Sequence, residues 1–391
     1  MRKNRHSFIL MIVMAIVPLF CSCDGVTRIE NRRIVNAVGI DKGENKKYSV
    51  CFQVFQPSGS GANTPIDTSQ ANMKLVTIEA DTVAQAVNQC EVSLGKYLFT
   101  GHNKLIVLGS DLLNEPITEI LDYFIQNEQS YLGIPVVASH TKASDILSVE
   151  LTSDTVTAEA LESLIKISVI NGTATPNSLL LSANALEEPD GSLAFPVFTV
   201  SDENGTEKSP SGGSGGGGGG NSEGQKEDKQ PLLNLTHTDI VKNGKKVCKL
   251  DKSETMGLCW LNNTSKSSKV SINLDEKIIS LEVRPKLMSS DIEKNGDEIH
   301  LRYALNFDLT VLDDVNSDSN KEKIQELCAD EIKKNCTAAF EKSVKQNSCD
   351  VLRIFSRIRN KYPKLFLQSI DDYSKLLQNC TLKLSVNCKL N

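Results

Sequence analysis

The sequence predicts a protein of mixed α/β and α+β class, with three mixed-sheet domains flanked by helices and a disordered Gly-rich loop. Three observations lead there. Strand-like and helix-periodic runs alternate up to about residue 150, the last third sets alternating strands beside long helices, and residues 201–230 lose nearly all apolar content. The expected division is a signal peptide at 1–22, an N-terminal α/β domain at 23–150, a middle domain at 151–275 containing the loop 201–230, and a C-terminal α+β domain at 276–391.

Arg2, Lys3 and Arg5 precede an uncharged run from Phe8 to Phe20, the layout of a secretory signal. Thirteen residues are too few to span a bilayer, which takes about 20. Cys21 and Cys23 follow. A bacterial lipoprotein signal places a small residue before the modified cysteine, because the peptidase must fit that side chain beside the cleaved bond. Cys23 follows Ser22 and Cys21 follows the bulky Phe20, so Cys23 is the expected lipidation site and Cys21 part of the discarded leader. Each buried CH₂ contributes about 0.8 kcal/mol, and stable anchoring takes more than one acyl chain. A thioether diacylglycerol with an N-linked chain such as palmitate meets that need. Losing the leader removes three positive charges and no negative ones, from −6 to −9. An acidic mature chain argues against nucleic acid as a partner, which calls for clustered Lys and Arg.

Taken in order, Ile34–Ile40 and Tyr48–Phe55 read as strands around the turn "DKGENKK", and 56–71, rich in Pro, Gly, Ser and Thr, as a loop. "LVTIEA" is a strand. Thr82–Lys96 is a helix with Val83, Ala86, Val87, Cys90 and Leu94 on one face. "NKLIVLG" is a buried strand, Asp111–Asn127 a helix, "IPVVAS" a strand and Lys142–Val149 a short helix. A helix over Ser153–Ile170 leads to the strand "AFPVFTV". "SPSGGSGGGGGGNSEGQKEDKQ" cannot bury enough surface to offset its ordering entropy. No Lys-Ser or Lys-Thr follows these glycines, so a phosphate-cradling loop is excluded. Strands resume at "LTHTDIV" and "KKVCKL", which favours a loop inserted between strands of one sheet. Ile278–Arg284 and Ile299–Leu312 are strands, Asn320–Gln346 and Asp350–Asn360 helices, with Pro363 ending the second, and "CTLKLSVNCKL" a closing strand.

Chemistry is hard to place. Nine further cysteines (51, 90, 248, 259, 328, 336, 349, 380 and 388) form no CxxC, and the chain has five histidines, so neither zinc nor any other metal or cofactor is expected. The cysteines read as buried free thiols: Cys328 and Cys336 share a four-residue helical stripe with Ile324, Ile332, Phe340 and Val344. Asp313–Asp314 and Asp371–Asp372 lie at element ends and read as solvated turns. His102 has no serine or cysteine nucleophile in suitable context. No catalytic residue is assigned, and the chain reads as a non-enzyme.

Four segments in order carry a resemblance. "NRRIVNAVGIDKG" follows the lipoprotein cysteine, then come "GHNKLIVLGSDLL…ILDYFIQNEQ", "GKKVCKLDKSETMGLCWL" and "CDVLRIFSRIRNKYPKLF" with the terminal strand. Together they resemble the Ger(x)C lipoproteins, the C subunits of nutrient germinant receptors in spore-forming bacteria. The departures are the glycine tract at 211–220 and the segment "CDGVTRIENRRI", where the family carries a tryptophan, an aspartate and paired arginines near the cysteine. The resemblance implies three α/β domains, lipid-anchored on the outer face of the spore's inner membrane. It also implies partnership with a polytopic A-type subunit and a transporter-like B-type subunit, the latter associated with germinant recognition. Within the matching segments, Gly101, Gly109 and Gly257 read as backbone requirements at turns and close packing, and Trp260 as core or cap. The competing reading is a solute-binding lipoprotein of a transporter, which calls for two similar lobes around a cleft.

Overall fold

A computed structural model describes residues 29–55, 73–151, 154–155, 158–201, 232–296, 298–313, 320–369 and 372–391. The expected signal peptide, Cys21, Cys23, the loop expected over 56–71 and residues 202–230 of the expected Gly-rich loop lie outside them.

The elements in chain order begin with β1 (Arg32–Lys42), β2 (Tyr48–Phe55), β3 (Met73–Ala80), α1 (Val83–Leu94), β4 (Tyr97–Phe99) and β5 (Leu105–Leu108). Then come α2 (Thr118–Gln126), β6 (Val136–Ser139), α3 (Ala143–Ser148), β7 (Glu150–Leu151), β8 (Asp154–Thr155), α4 (Ala158–Ile170), α5 (Leu179–Leu186) and β9 (Leu193–Ser201). β10 (Leu232–Lys242), β11 (Lys245–Leu250), α6 (Lys252–Leu261), β12 (Ser268–Leu274), β13 (Lys277–Asn295) and β14 (Glu298–Val311) follow. The chain closes with α7 (Lys321–Phe340), α8 (Ile354–Lys361), α9 (Pro363–Ser369), α10 (Tyr373–Gln378) and β15 (Cys380–Leu390).

Mixed sheets flanked by helices are what these elements build. A nine-stranded sheet runs β11-β10-β9-β6-β5-β1-β2-β3, with β4 beside the start of β1. β1, β5, β6 and β9 are parallel, and the outer strands are antiparallel. Strands β9 to β11 thus extend the same sheet as β1 to β6. Leu232 pairs with Ser201, so the chain on either side of the glycine tract forms antiparallel neighbours of one sheet.

Helices cover both faces, which is why β1 and β5 are near-continuous apolar runs. Val38, Ile40, Ile106 and Leu108 pack beneath α1 and α2; Ala37, Leu105 and Val107 face α3 and α4. A second, four-stranded sheet runs β12-β13-β14-β15, with β14 and β15 parallel. Leu301, Tyr303, Leu305, Phe307 and Leu309 face inward under the helices, while Arg302, Ala304, Asn306, Asp308 and Thr310 are open to solvent or only half-buried. Ile324, Cys328, Ile332, Cys336, Phe340 and Val344 are all fully buried, as their four-residue spacing requires.

Three local readings are corrected. Pro116 splits the single helix expected over 111–127 into a 3₁₀ turn at Ser110–Asn114 and α2, since its ring excludes helical backbone before it. The helix expected from Asp350 starts at Ile354, because Arg353 has a positive φ of 56°. Helix α6 went unrecognised: Thr255 to Leu261 are buried without interruption, so no amphipathic stripe exists to find. Its available signal was the reciprocal capping box between Asp251 and Glu254.

Candidate functional site: the joint between the two sheets

The residues singled out from sequence do not converge. His102 is exposed and edge-on to Phe99 at 5.8 Å. Asp313 accepts from the Ser280 N–H, and Asp372 caps α10 by accepting from the Lys375 N–H at 3.4 Å. Asp314 and Asp371 lie outside the described residues. Among those described, no cluster of three or more His, Cys, Asp or Glu side chains could hold a metal ion.

The glycines do what close packing demands. A Cβ on Gly257 would strike the Asn335 carbonyl of α7, so α6 and α7 cross backbone against backbone there. One on Gly109 would strike the Asp41 carboxylate. That carboxylate accepts from the Ala143 and Ser144 N–H groups at 2.6 and 3.1 Å, at the start of α3. Burial raises its pKa, and those two hydrogen bonds oppose the rise. Trp260 is core, with its Nε1–H donating to Ser268 Oγ at 3.3 Å.

The "CDVLRIFSRIRNKYPKLF" segment assembles a polar joint between the two sheets. Asp350, buried ahead of α8, accepts from the Ile354 and Phe355 N–H groups at 2.5 and 2.8 Å. It thereby satisfies two of the free donors at that helix start. Its own N–H donates to Asp190 Oδ2 at 2.6 Å and lies 3.2 Å from Ser192 Oγ, in the turn leading into β9. Gly191, between them, has a φ of +53°.

Around this core, Arg359 pairs with Glu188 at 2.6 Å. The Lys242 ammonium donates to the Ser348 carbonyl at 2.8 Å and sits over the Tyr373 ring at 5.0 Å. Desolvation, then the nearby Asp190 carboxylate, push the Asp350 carboxyl up to about 7.

A second buried set lies on β10. His237 Nε2 is 3.7 Å from Asp239 Oδ1, and Lys246 pairs with Asp239 Oδ2 at 2.7 Å. Thr236 Oγ1 lies 2.9 Å from His237 Nδ1, and the His140 ring stands edge-on at 6.0 Å. Burial, then Lys249 and Lys246, hold the His237 pKa down to about 3, so the ring is neutral. The Ser192 hydroxyl of the first set donates to Asp190 Oδ2, and the polar groups of both sets pair with one another. A shallow cleft of about 470 Å³ on the open face of the smaller sheet is lined by Ser289, Asp291, Arg302, Ala304, Lys383 and Ser385.

Comparison with known proteins assigns the two halves. Residues 25–200 match the family model described as the spore germination protein N-terminal domain, and residues 237–391 match the spore germination B3/GerAC-like C-terminal model. The chain belongs to the Ger(x)C family. Among its relatives, YfkR of Bacillus subtilis (strain 168), which bears a provisional spore germination name, is 24% identical over 204 residues, 51% of each chain. Spore germination protein KC of the same organism is 22% identical over 162 residues, 38% of this chain and 37% of the relative. The matches thus span about half or less of the length of these curated relatives.

The crystal structure of the GerBC protein superposes with a TM-score of 0.56 at 15% identity, covering 90% of this chain and 96% of that one. The Ger(x)C fold is therefore shared. The joint residues Asp190 and Ser192 fall in the first matched half and Asp350 in the second.

Proposed function

We propose that this Ger(x)C protein is the C subunit of a spore nutrient germinant receptor. In this reading it is a non-catalytic lipoprotein, anchored through Cys23 to the outer face of the spore inner membrane. It acts with a polytopic A subunit and a transporter-like B subunit to trigger germination. The observation that carries the reading is the presence of both germination-family halves, in order, behind a basic and then apolar N-terminal run followed by Cys23.

The buried polar groups support a holding role. Asp190, Ser192 and Asp350 direct their hydrogen bonds to each other and to the start of α8, which leaves none of them free to attack or protonate a substrate. A membrane tether raises the effective concentration of such a surface toward membrane partners. The solute-binding alternative fits less well, since the nine-stranded and four-stranded sheets differ in strand number and order and do not make two similar lobes. The test is deletion of the gene in its sporulating host, with tagged chain restored in trans. The reading expects loss of nutrient-triggered germination on deletion, its recovery on restoration, and co-purification of both polytopic subunits from spore membranes. Normal germination in the deletion strain would overturn it.

A further inference from the structure

The segments that precede β1, β4, β5 and β6 lie side by side at one end of the large sheet, with the start of α5 beside them. The Lys96 ammonium donates to the Glu30 carbonyl at 2.6 Å, and Tyr97 pairs with Arg32 at the start of β1. The Arg32 guanidinium lies 5.2 Å over the Phe99 ring. The Thr100 N–H then donates to Gln129 Oε1 at 3.0 Å, and the Leu180 N–H to the Leu132 carbonyl at 2.8 Å.

This end carries large apolar side chains in water: Tyr97 is 61% exposed, Tyr131 71%, Leu132 39% and Leu180 48%. At this end of the sheet Arg32, Arg33, Lys96 and Lys104 stand against the acidic Glu30, Glu91 and Glu128. Tyrosines and leucines rimmed by basic side chains are the composition that settles at a lipid headgroup boundary.

The chain's attachment point selects the same end. Ile29, the first described residue, is six positions after Cys23, and six residues extend at most about 20 Å. A lipid on Cys23 therefore holds Ile29, three residues ahead of β1, within that distance of the bilayer. Lys42 at the far end of β1, ten residues beyond its start, is about 33 Å further away along the strand.

We infer that the end bearing Tyr97, Tyr131, Leu132 and Leu180 rests on the anionic lipid surface beneath the anchor. The inference rests on attachment at Cys23, and the experiment separates the two. The full chain and a Cys23→Ser variant, which keeps Phe8–Phe20 as a peptide tether, are reconstituted into phosphatidylcholine–phosphatidylglycerol vesicles with brominated acyl chains. Each carries Tyr131→Trp, Tyr97→Trp or, in the β1–β2 turn at the opposite end, Glu44→Trp; buried Trp260 gives a background removed by subtracting the parent protein.

The expected result is loss of about half or more of the added emission at positions 131 and 97, with position 44 unchanged, for both tethers. Equal quenching at 131 and 44, or none at 131, overturns the inference. So does a blue shift at 131 without bromine quenching, which a second copy or a protein partner would cause. The intact mass of the unmutated chain reports its acyl groups independently, so loss of the anchor and loss of the lipid-facing surface give different results.

Discussion

The Asp350 main-chain N–H donates to the Asp190 carboxylate at 2.6 Å, across 160 positions of sequence. The Asp350 carboxylate meanwhile caps α8. One residue thus binds the large sheet with its backbone and starts a helix of the smaller unit with its side chain. Two acidic residues share this buried space, and the arrangement is tolerable because each carboxylate receives N–H or O–H donors.

This geometry gives the joint a pH dependence. Burial first, and the Asp190 charge second, raise the Asp350 carboxyl from its ordinary 3.8 to about 7. The folded state holds this proton more tightly than the unfolded state. Its contribution to stability is therefore full below about pH 4 and is lost as pH rises through about 7. Urea denaturation at pH 5 and pH 8 should show the native chain losing a few kcal/mol more than an Asp350→Asn variant, which keeps a capping oxygen without the titration. Parallel losses in the two proteins would remove Asp350 from the account.

Two glycines should respond in opposite degree to the same change. Gly257→Ala drives a methyl into the Asn335 carbonyl in a packed core and should cost about 3 kcal/mol or more. Gly95→Ala, at the left-handed C-cap of α1 with φ 61° and open space around it, should cost about 1 kcal/mol. Thermal unfolding of both variants checks the contrast. Equal costs would contradict the backbone crossing of α6 and α7.

The thiols should be inert in the folded chain. Eight of the nine described cysteines are buried and Cys248 is partly so; burial alone raises Cys336, and burial first raises Cys259 and Cys349, the latter two to about 12. On a Cys21→Ser, Cys23→Ser background, an aromatic disulfide reagent should modify at most Cys248 under native conditions and all nine in guanidinium chloride. Rapid native modification of more than one thiol would contradict the packing.

Strands and amphipathic helices were legible because their periodicity is set by burial on one side. Tyr48–Phe55 and Lys245–Leu250 fall where alternation and flanking turns place them, and the Ile324–Val344 stripe buries residue for residue. Two kinds of feature were not. From Thr255 onward helix α6 is buried all round, which erases the pattern that marks a helix. The joint depends on contacts such as Asp190 with Asp350 and Lys242 with Ser348, whose partners lie far apart in sequence. Asp350 was visible only as part of a segment with a family resemblance. Its capping role depends on the left-handed turn at Arg353, which local composition does not announce.

The most direct measurement of the central claim compares Cys23→Ala with Cys21→Ala in the sporulating host, following membrane retention and nutrient-triggered germination. A lipid-anchored receptor subunit loses both in Cys23→Ala and neither in Cys21→Ala. Normal retention and germination in Cys23→Ala would contradict the anchor, and the receptor role would then rest on family membership alone.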